Sequence, residues 1–386
     1  MDNQKKSHDT SSSMQTSRRG FLKTSAVAAG TAMGLSALHN GKILAAESTT
    51  ATDRQFTVAG YKYDRVEALF DGQVQIESFK SKFEESNIGD LNTHVFSGPQ
   101  TREVSEIGLS PFMLAYANDG FRDYTLIPVF PLRTFRHKSI FIRTDRGIKT
   151  PEDLRGKKVA TPGFSSTSLT WLRGIVQHEY GVKPEDIQWV VSSKDSSAKL
   201  SGGASKFENI IPENLSVTQG PAGMDESDLL VEGKVDALFH AIEPRAYVQG
   251  NPIVGRLFAD YRQTERAYFT KTGIFPIMHA VAIRKDFIAA HPGFPKLVFN
   301  AYSQAKKLMY EHMRKLAWAT ISLPWVGQEL EETRELMGDN FWPYGIEPNR
   351  KSLEALFQYS YEQGLAAKKL TIEELFHPST LELMEA

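Results

Sequence analysis

The 386-residue chain contains no cysteine. That absence excludes disulfides, thiolate nucleophiles, iron–sulfur clusters and cysteine-bound zinc together. Its ten histidines form no HxH or HExxH pattern, so spacing gives no reason to expect a metal. Phosphate-binding loops of the GxGxxG, GxxxxGKS or GxxxxGKT type are missing, as is the GxSxG elbow of serine hydrolases. No apolar run is long enough for a bilayer. The mild run from Ser25 to Leu38 has 14 residues rich in Ala, Gly and Ser, whereas a spanning helix needs about 20. An excess of one charge is also lacking, with a net charge of −1.

What is present begins with Ser17-Arg18-Arg19-Gly20-Phe21-Leu22-Lys23, just before the apolar run. This is the pattern of a twin-arginine export signal. Residues 1–46 therefore read as a signal peptide cleaved after Ala45 or Ala46, and 47–55 as a polar linker. The segment is an address and not an anchor, so the expectation is a protein that folds before export and works in soluble form outside the cytoplasm. The leader carries six Lys/Arg against two acids, which leaves the remainder of the chain mildly acidic. That balance argues against nucleic acid as a partner.

From Phe56 onward, strand and helix signals alternate with short connections, which predicts an α/β fold with parallel sheets. Strands are expected at Phe56–Gly60, Asn92–Phe96, Thr125–Phe130, Ser139–Arg143, Val159–Ala160, Ile187–Val191, Val235–Phe239 and Met278–Ile283. Thr150 caps a one-turn helix at Pro151–Leu154, and Gly181 ends a helix that opens near Ser168. Residues 192–223 are rich in Ser, Gly, Lys and Asn and read as a surface excursion. Helical periodicity dominates the C-terminal third.

Several positions can carry chemistry. Ser165, Ser166 and Thr167 stand between a strand and a helix start, where unpaired N–H groups and hydroxyls suit an anion. Arg133, Arg136, His137 and Lys138 lie between two strands, and arginine can hold a carboxylate bidentately. His240, Glu243 and Arg245 follow another strand end. His279 follows an almost wholly apolar stretch, and Glu106 lies between apolar neighbours near a helix start. Three of these have a bland alternative: a plain helix cap for the Ser/Thr cluster, a solvated basic loop for Arg133–Lys138 and a core histidine for His279.

Taken together, Ser105–Ser110, Phe135–Ile148, Pro151–Val159, Thr272–His279 and Phe341–Gly345 resemble the corresponding segments of the 4,5-dihydroxyphthalate decarboxylase family, in the family's order. The likeness spans about Phe56 to Phe376. It implies the two-lobed class II periplasmic-binding-protein-like α/β fold with two crossover strands, near Ser139–Arg143 and Met278–Arg284. Lobe one would then be 56–142 plus 279–386, and lobe two 143–278. It also implies cofactor-free decarboxylation of a hydroxylated aromatic dicarboxylate in the cleft between lobes. In that reading His279 or Glu106 donates the proton, Arg136 and His137 bind the second carboxylate, and Ser165, Ser166 and Thr167 donate hydrogen bonds, with Arg245 as a weaker addition. The same superfamily contains substrate-binding components of ABC transporters. The alternative is therefore a periplasmic receptor that passes a small organic anion to an ABC permease. The export signal favours this second reading.

Overall fold

The computed structural model describes residues 55–385 apart from residues 203 and 316–320. The twin-arginine segment and the cleavage site lie outside the described residues. Two sheets organise the chain. The first has the order β2-β1-β3-β11-β4, formed by β1 (Gln55–Gly60), β2 (Lys80–Glu85), β3 (Val104–Gly108), β4 (Tyr124–Ile127) and β11 (His279–Arg284). Within it β1 runs parallel to β2 and β3, while β11 runs antiparallel to β3 and β4. The second has the order β10-β5-β9-β6-β7-β8, from β5 (Ile140–Arg143), β6 (Lys158–Thr161), β7 (Gln188–Val191), β8 (Val217–Gln219), β9 (Ala237–Phe239) and β10 (Val254–Arg256). There β6 is parallel to β7 and β9, and β5 is antiparallel to β9 and β10. The chain changes sheets twice, between β4 and β5 and between β10 and β11.

The central strands are covered on both faces by helices. β3 and β4 are buried at every position, as expected of strands with no solvent face. Val58, Ile107, Leu126 and Val281 lie in the core of the first sheet, and Phe141, Ala160, Leu229 and Leu238 in that of the second. Each such side chain contributes about 1.5–3 kcal/mol by leaving water. Trp171, Trp189 and Phe164 are fully buried alongside them.

Two local expectations are corrected. Asn92–Phe96 is not a strand but the end of the helix Ile88–Phe96. The β-branched and aromatic residues there suggest a strand, yet Gly89, Leu91, Asn92, Val95 and Phe96 form the buried stripe of a helix, and the Asn87 side chain caps it by accepting from the Asp90 N–H. The strand lies twelve residues later, at β3, where the polar Ser105 and Glu106 hide the apolar run. Residues 192–223 are more than a surface excursion. They form a short helix (Ala198–Ser201) and strand β8, and Phe207 packs edge-on against Phe96 of the helix Ile88–Phe96. The aromatic cluster at Phe341–Gly345 serves the core, where Tyr344 is buried and the Trp342 indole donates to the Phe130 carbonyl.

Candidate active site

A cleft of about 840 Å³, counted with its open mouth, lies where the C-terminal ends of parallel strands from both sheets meet. Such ends are the usual ligand position in open α/β sheets. From the first sheet come Gly108 at the end of β3 and His279 at the start of β11, which are register partners. From the second come Ser166, Thr167 and Ser168 after β6, and His240 and Ala241 after β9.

His279 and Glu106 are joined by the fold. Nδ1 of His279 lies 2.6 Å from Oε1 of Glu106, and both residues are buried. Glu106 accepts further hydrogen bonds from the Tyr63 hydroxyl (3.0 Å) and the Tyr61 N–H (3.0 Å). Tyr63 and the backbone amide are donors here, so the carboxylate acts as acceptor throughout and the network assigns the Nδ1 proton to His279. The other ring nitrogen, Nε2, makes no hydrogen bond among the described residues and belongs to a ring on the cleft wall. Tyr61 stacks on His279 with centroids 6.1 Å apart, and its own hydroxyl accepts from the Ile88 N–H at 2.7 Å. Burial and the Glu106 charge push the Tyr63 hydroxyl far above its ordinary range, so it stays a donor. Gly60 makes room for this arrangement, because a Cβ at that position would stand 2.9 Å from Oε2 of Glu106.

A second histidine faces the cleft from the other sheet. His240 Nε2 lies 3.4 Å from Oδ1 of Asp195 and 3.9 Å from Oε2 of Glu226, and its Nδ1 is 2.8 Å from the Ile242 carbonyl. Burial alone would lower its pKa, but the Asp195 hydrogen bond and the Glu226 charge outweigh it and the pKa is raised. The Asp195 carboxylate beside Nε2 and the nearby Glu226 favour the protonated ring, while Nδ1 faces both the carbonyl and, at 3.2 Å, the N–H of Ile242. The ligating atoms of Asp195, Glu226 and His240 lie within 4.8 Å of one another, a donor set chemically able to hold a divalent cation. However, the Ser192 hydroxyl and the Ser196 N–H already occupy the two Glu226 oxygens. An ion pair between His240 and the two carboxylates accounts for the geometry.

The remaining sequence candidates separate. Ser166 caps the helix Thr167–Tyr180 by accepting from the Leu169 N–H, and Thr167 accepts from the Ser110 N–H across the cleft. Both line the cleft, where the first-turn N–H groups point outward from the helix. Ser165 does not line it. Its hydroxyl accepts from the Ile210 N–H and anchors the 192–223 segment. The four-residue cationic cluster splits. Arg133 turns into the core toward Asn349, and Arg136 lies one layer behind the cleft wall against Met278 and Ala241. His137 sits between Phe258 and Tyr268 with no partner at either nitrogen, and burial brings its pKa down to about 4. It is neutral and away from the cleft. Arg245 is half exposed and pairs with Asp228 and Asp225 outside the cleft. Sequence reasoning did not bring forward Asp195, Glu226, Tyr61 or Tyr63. Asp195 lies in a Ser-rich stretch with no motif around it, and the tyrosines read as loop.

Comparison with known proteins places this geometry. The family model described as NMT1/THI5 like matches residues 132–219. Among solved structures, the periplasmic sulfonate-binding protein SsuA from Methylobacillus flagellatus superposes with a TM-score of 0.51 at 14% identity, over 85% of this chain and 92% of that one. The fold is thus that of two-lobed periplasmic binding proteins. A 4,5-dihydroxyphthalate decarboxylase from Comamonas testosteroni is 32% identical over 328 residues, covering 85% of this chain and 98% of that one. A protein of the same name from Pseudomonas putida is 30% identical over 217 residues, covering 56% and 82% respectively. The chain belongs to the 4,5-dihydroxyphthalate decarboxylase family, as the resemblance in its sequence implied.

Proposed function

We propose that the protein decarboxylates a hydroxylated aromatic dicarboxylate, 4,5-dihydroxyphthalate or a close analogue. The observation that carries this reading is His279, on the wall of the cleft and hydrogen-bonded at 2.6 Å to the buried Glu106, in a chain of this family. The chemistry needs a proton delivered to the ring carbon that bears the departing carboxylate. A hydroxyl para to that carbon pushes electron density onto it. Protonated His279 gives its Nε2 proton to that carbon. The bond to the carboxylate then breaks, carbon dioxide leaves, and the bonding pair restores the aromatic ring. Solvent reprotonates His279. Glu106 fixes the tautomer and the ring plane. His240, whose neighbouring carboxylates favour its protonated form, and the helix start at Ser166 and Thr167 supply positive potential for the substrate's anionic groups.

A second reading is favoured by one specific feature, the Ser17–Lys23 twin-arginine pattern. It supports export to the periplasm, where a binding-protein fold serves equally as a receptor that hands a carboxylate to an ABC permease. Closure of the proposed lobes, 56–142 plus 279–386 on 143–278, would bury the ligand in either case. The deciding experiment incubates the purified protein with 4,5-dihydroxyphthalate and follows carbon dioxide and the monocarboxylic catechol by chromatography. Product formation establishes the enzyme. Saturable binding without product establishes the receptor.

A further inference from the structure

The environment of Arg136 is chemically mismatched. Its Nη1 donates to the Ala241 carbonyl at 3.0 Å, but Nε and Nη2 both point at one atom, the thioether sulfur of Met278, at 3.3 and 3.0 Å. The Ser168 hydroxyl points at the same sulfur from 3.6 Å. Three donors thus converge on a weak acceptor. Other buried arginines reach oxygen acceptors, although Arg133 Nε and Arg173 Nη1 have no partner and neither residue forms an ion pair among the described residues. Arg133 has the Asn349 amide and the Phe275 carbonyl, Arg143 has Asp145 and two carbonyls, and Arg173 has Gln363 and the Phe164 carbonyl. Arg136 forms no ion pair among the described residues. The carboxyl that senses its charge, Glu265, is raised by burial to about 7 and spends an oxygen on the Lys138 N–H. A buried guanidinium left with a sulfur for a partner has given up hydration without the pairing that ordinarily offsets that loss.

Nε and Nη2 form the side fork of the guanidinium, whose spacing matches the two oxygens of a carboxylate. Met278 holds the position between that fork and the cleft. It lines the cleft with Ser168 and Ala241, and it immediately precedes His279. Its backbone is fixed, because its N–H donates to the Leu132 carbonyl and its carbonyl accepts from the Leu109 N–H. Only the side chain is free to change, and methionine has three rotatable bonds with which to do so. The start of the helix Thr167–Tyr180 adds positive potential beside Ser168.

We propose that Arg136 and Ser168 form a carboxylate subsite which the Met278 side chain fills until an aromatic dicarboxylate displaces it. The subsite takes the carboxylate that is retained, adjacent on the ring to the one that leaves beside His279. It thereby selects ortho-dicarboxylates over monocarboxylates. This rests on the reading that the cleft accepts an aromatic dicarboxylate, and it concerns binding, which is measured without turnover.

The test compares phthalate with benzoate by calorimetry on the wild-type protein and on Met278→Ala, Arg136→Met and Arg136→Lys. The expected result is that Met278→Ala tightens phthalate at least severalfold relative to benzoate. Arg136→Met should erase the preference for phthalate, a loss of roughly tenfold or more, and Arg136→Lys should erase most of it by losing the fork. In protein labelled with methyl-13C methionine, the resonance assigned by Met278→Leu should shift with phthalate and stay in place with benzoate. That spectrum stands even where an Arg136 variant does not fold. A phthalate-to-benzoate ratio unchanged in every variant, with an unmoved Met278 resonance, would overturn the subsite while leaving the decarboxylase reading intact. Failure of every aromatic acid to bind the wild-type protein would overturn both.

Discussion

The site turns on two histidines placed in opposite circumstances. His279 has Nδ1 2.6 Å from Glu106 and leaves Nε2 toward the cleft, while His240 has Asp195 beside Nε2 and the Ile242 backbone at Nδ1, and its pKa is raised. In the proposed mechanism the first passes a proton and the second keeps one. The second role has a consequence for stability. A histidine raised above its ordinary 6.5 in the folded state stabilises the fold fully below that pH, and the contribution is lost as pH rises through its folded-state value. The melting temperature of the wild-type protein minus that of His240→Gln should therefore shrink as pH rises from 6 to 9, measured by calorimetry in buffers of one ionic strength. A flat difference would contradict the ion pair. Gly60 tests the other histidine. Its missing Cβ would press on Glu106, whose carboxylate is held from three sides. Gly60→Ala should lower kcat by roughly tenfold to a hundredfold, the cost of misplacing a catalytic constellation by a fraction of an ångström to an ångström, with little change in KM.

Among the elements, the segment 192–223 links the two sheets. It leaves the second sheet after β7, contributes Asp195, Ser197 and Ser201 to the cleft wall, and reaches the first sheet's helices through Phe207 on Phe96 and an ion pair from Lys206 to Asp119. Its closest approach is at Gly202, whose φ of +79° suits glycine and where a Cβ would stand 2.1 Å from the Asn87 side chain. Gly202→Ala should lift this strap, raise KM severalfold and speed proteolysis of the segment, while the rest of the fold melts unchanged. Equal proteolysis rates for variant and wild type would argue against it. The sequence presents this stretch only as polar and Gly/Ser-rich, because composition records exposure and not what a chain lies across. The strand β3 is hidden for the converse reason. Its buried Ser105 and Glu106 break the apolar run that marks a buried strand, and in the proposed mechanism Glu106 is polar because it holds His279.

At the scale of the whole molecule, the α/β alternation and the family were legible because they are written in local signals that repeat, such as the apolar β4 and β5 or the Thr150 cap and Gly181 stop. His279, Glu106, Ser166 and Thr167 were legible as candidates, and the fold brings His279, Ser166 and Thr167 to one cleft with Glu106 behind His279. The partners of His240 were not, since Asp195 and Glu226 stand 45 and 14 residues from it and meet it only through the sheet. Arg136 and His137 are sequence neighbours, yet one turns toward Met278 and the other into an apolar pocket. The Ser17–Lys23 pattern carries a separate prediction about where this molecule works. Replacing Arg18 and Arg19 by Lys should leave full-length precursor in the cytoplasm, seen by fractionation and blotting. Normal processing of that variant would remove the twin-arginine route.

The account stands or falls on the division of labour at His279. The measurement that addresses it most directly is decarboxylation of 4,5-dihydroxyphthalate by His279→Gln beside the wild-type protein, with ligand affinity determined by calorimetry on the same samples. The expected result is a loss of roughly a hundredfold to ten-thousandfold in turnover, the usual worth of a positioned proton donor, with affinity changed by no more than severalfold. Turnover retained at the wild-type rate in His279→Gln would contradict it.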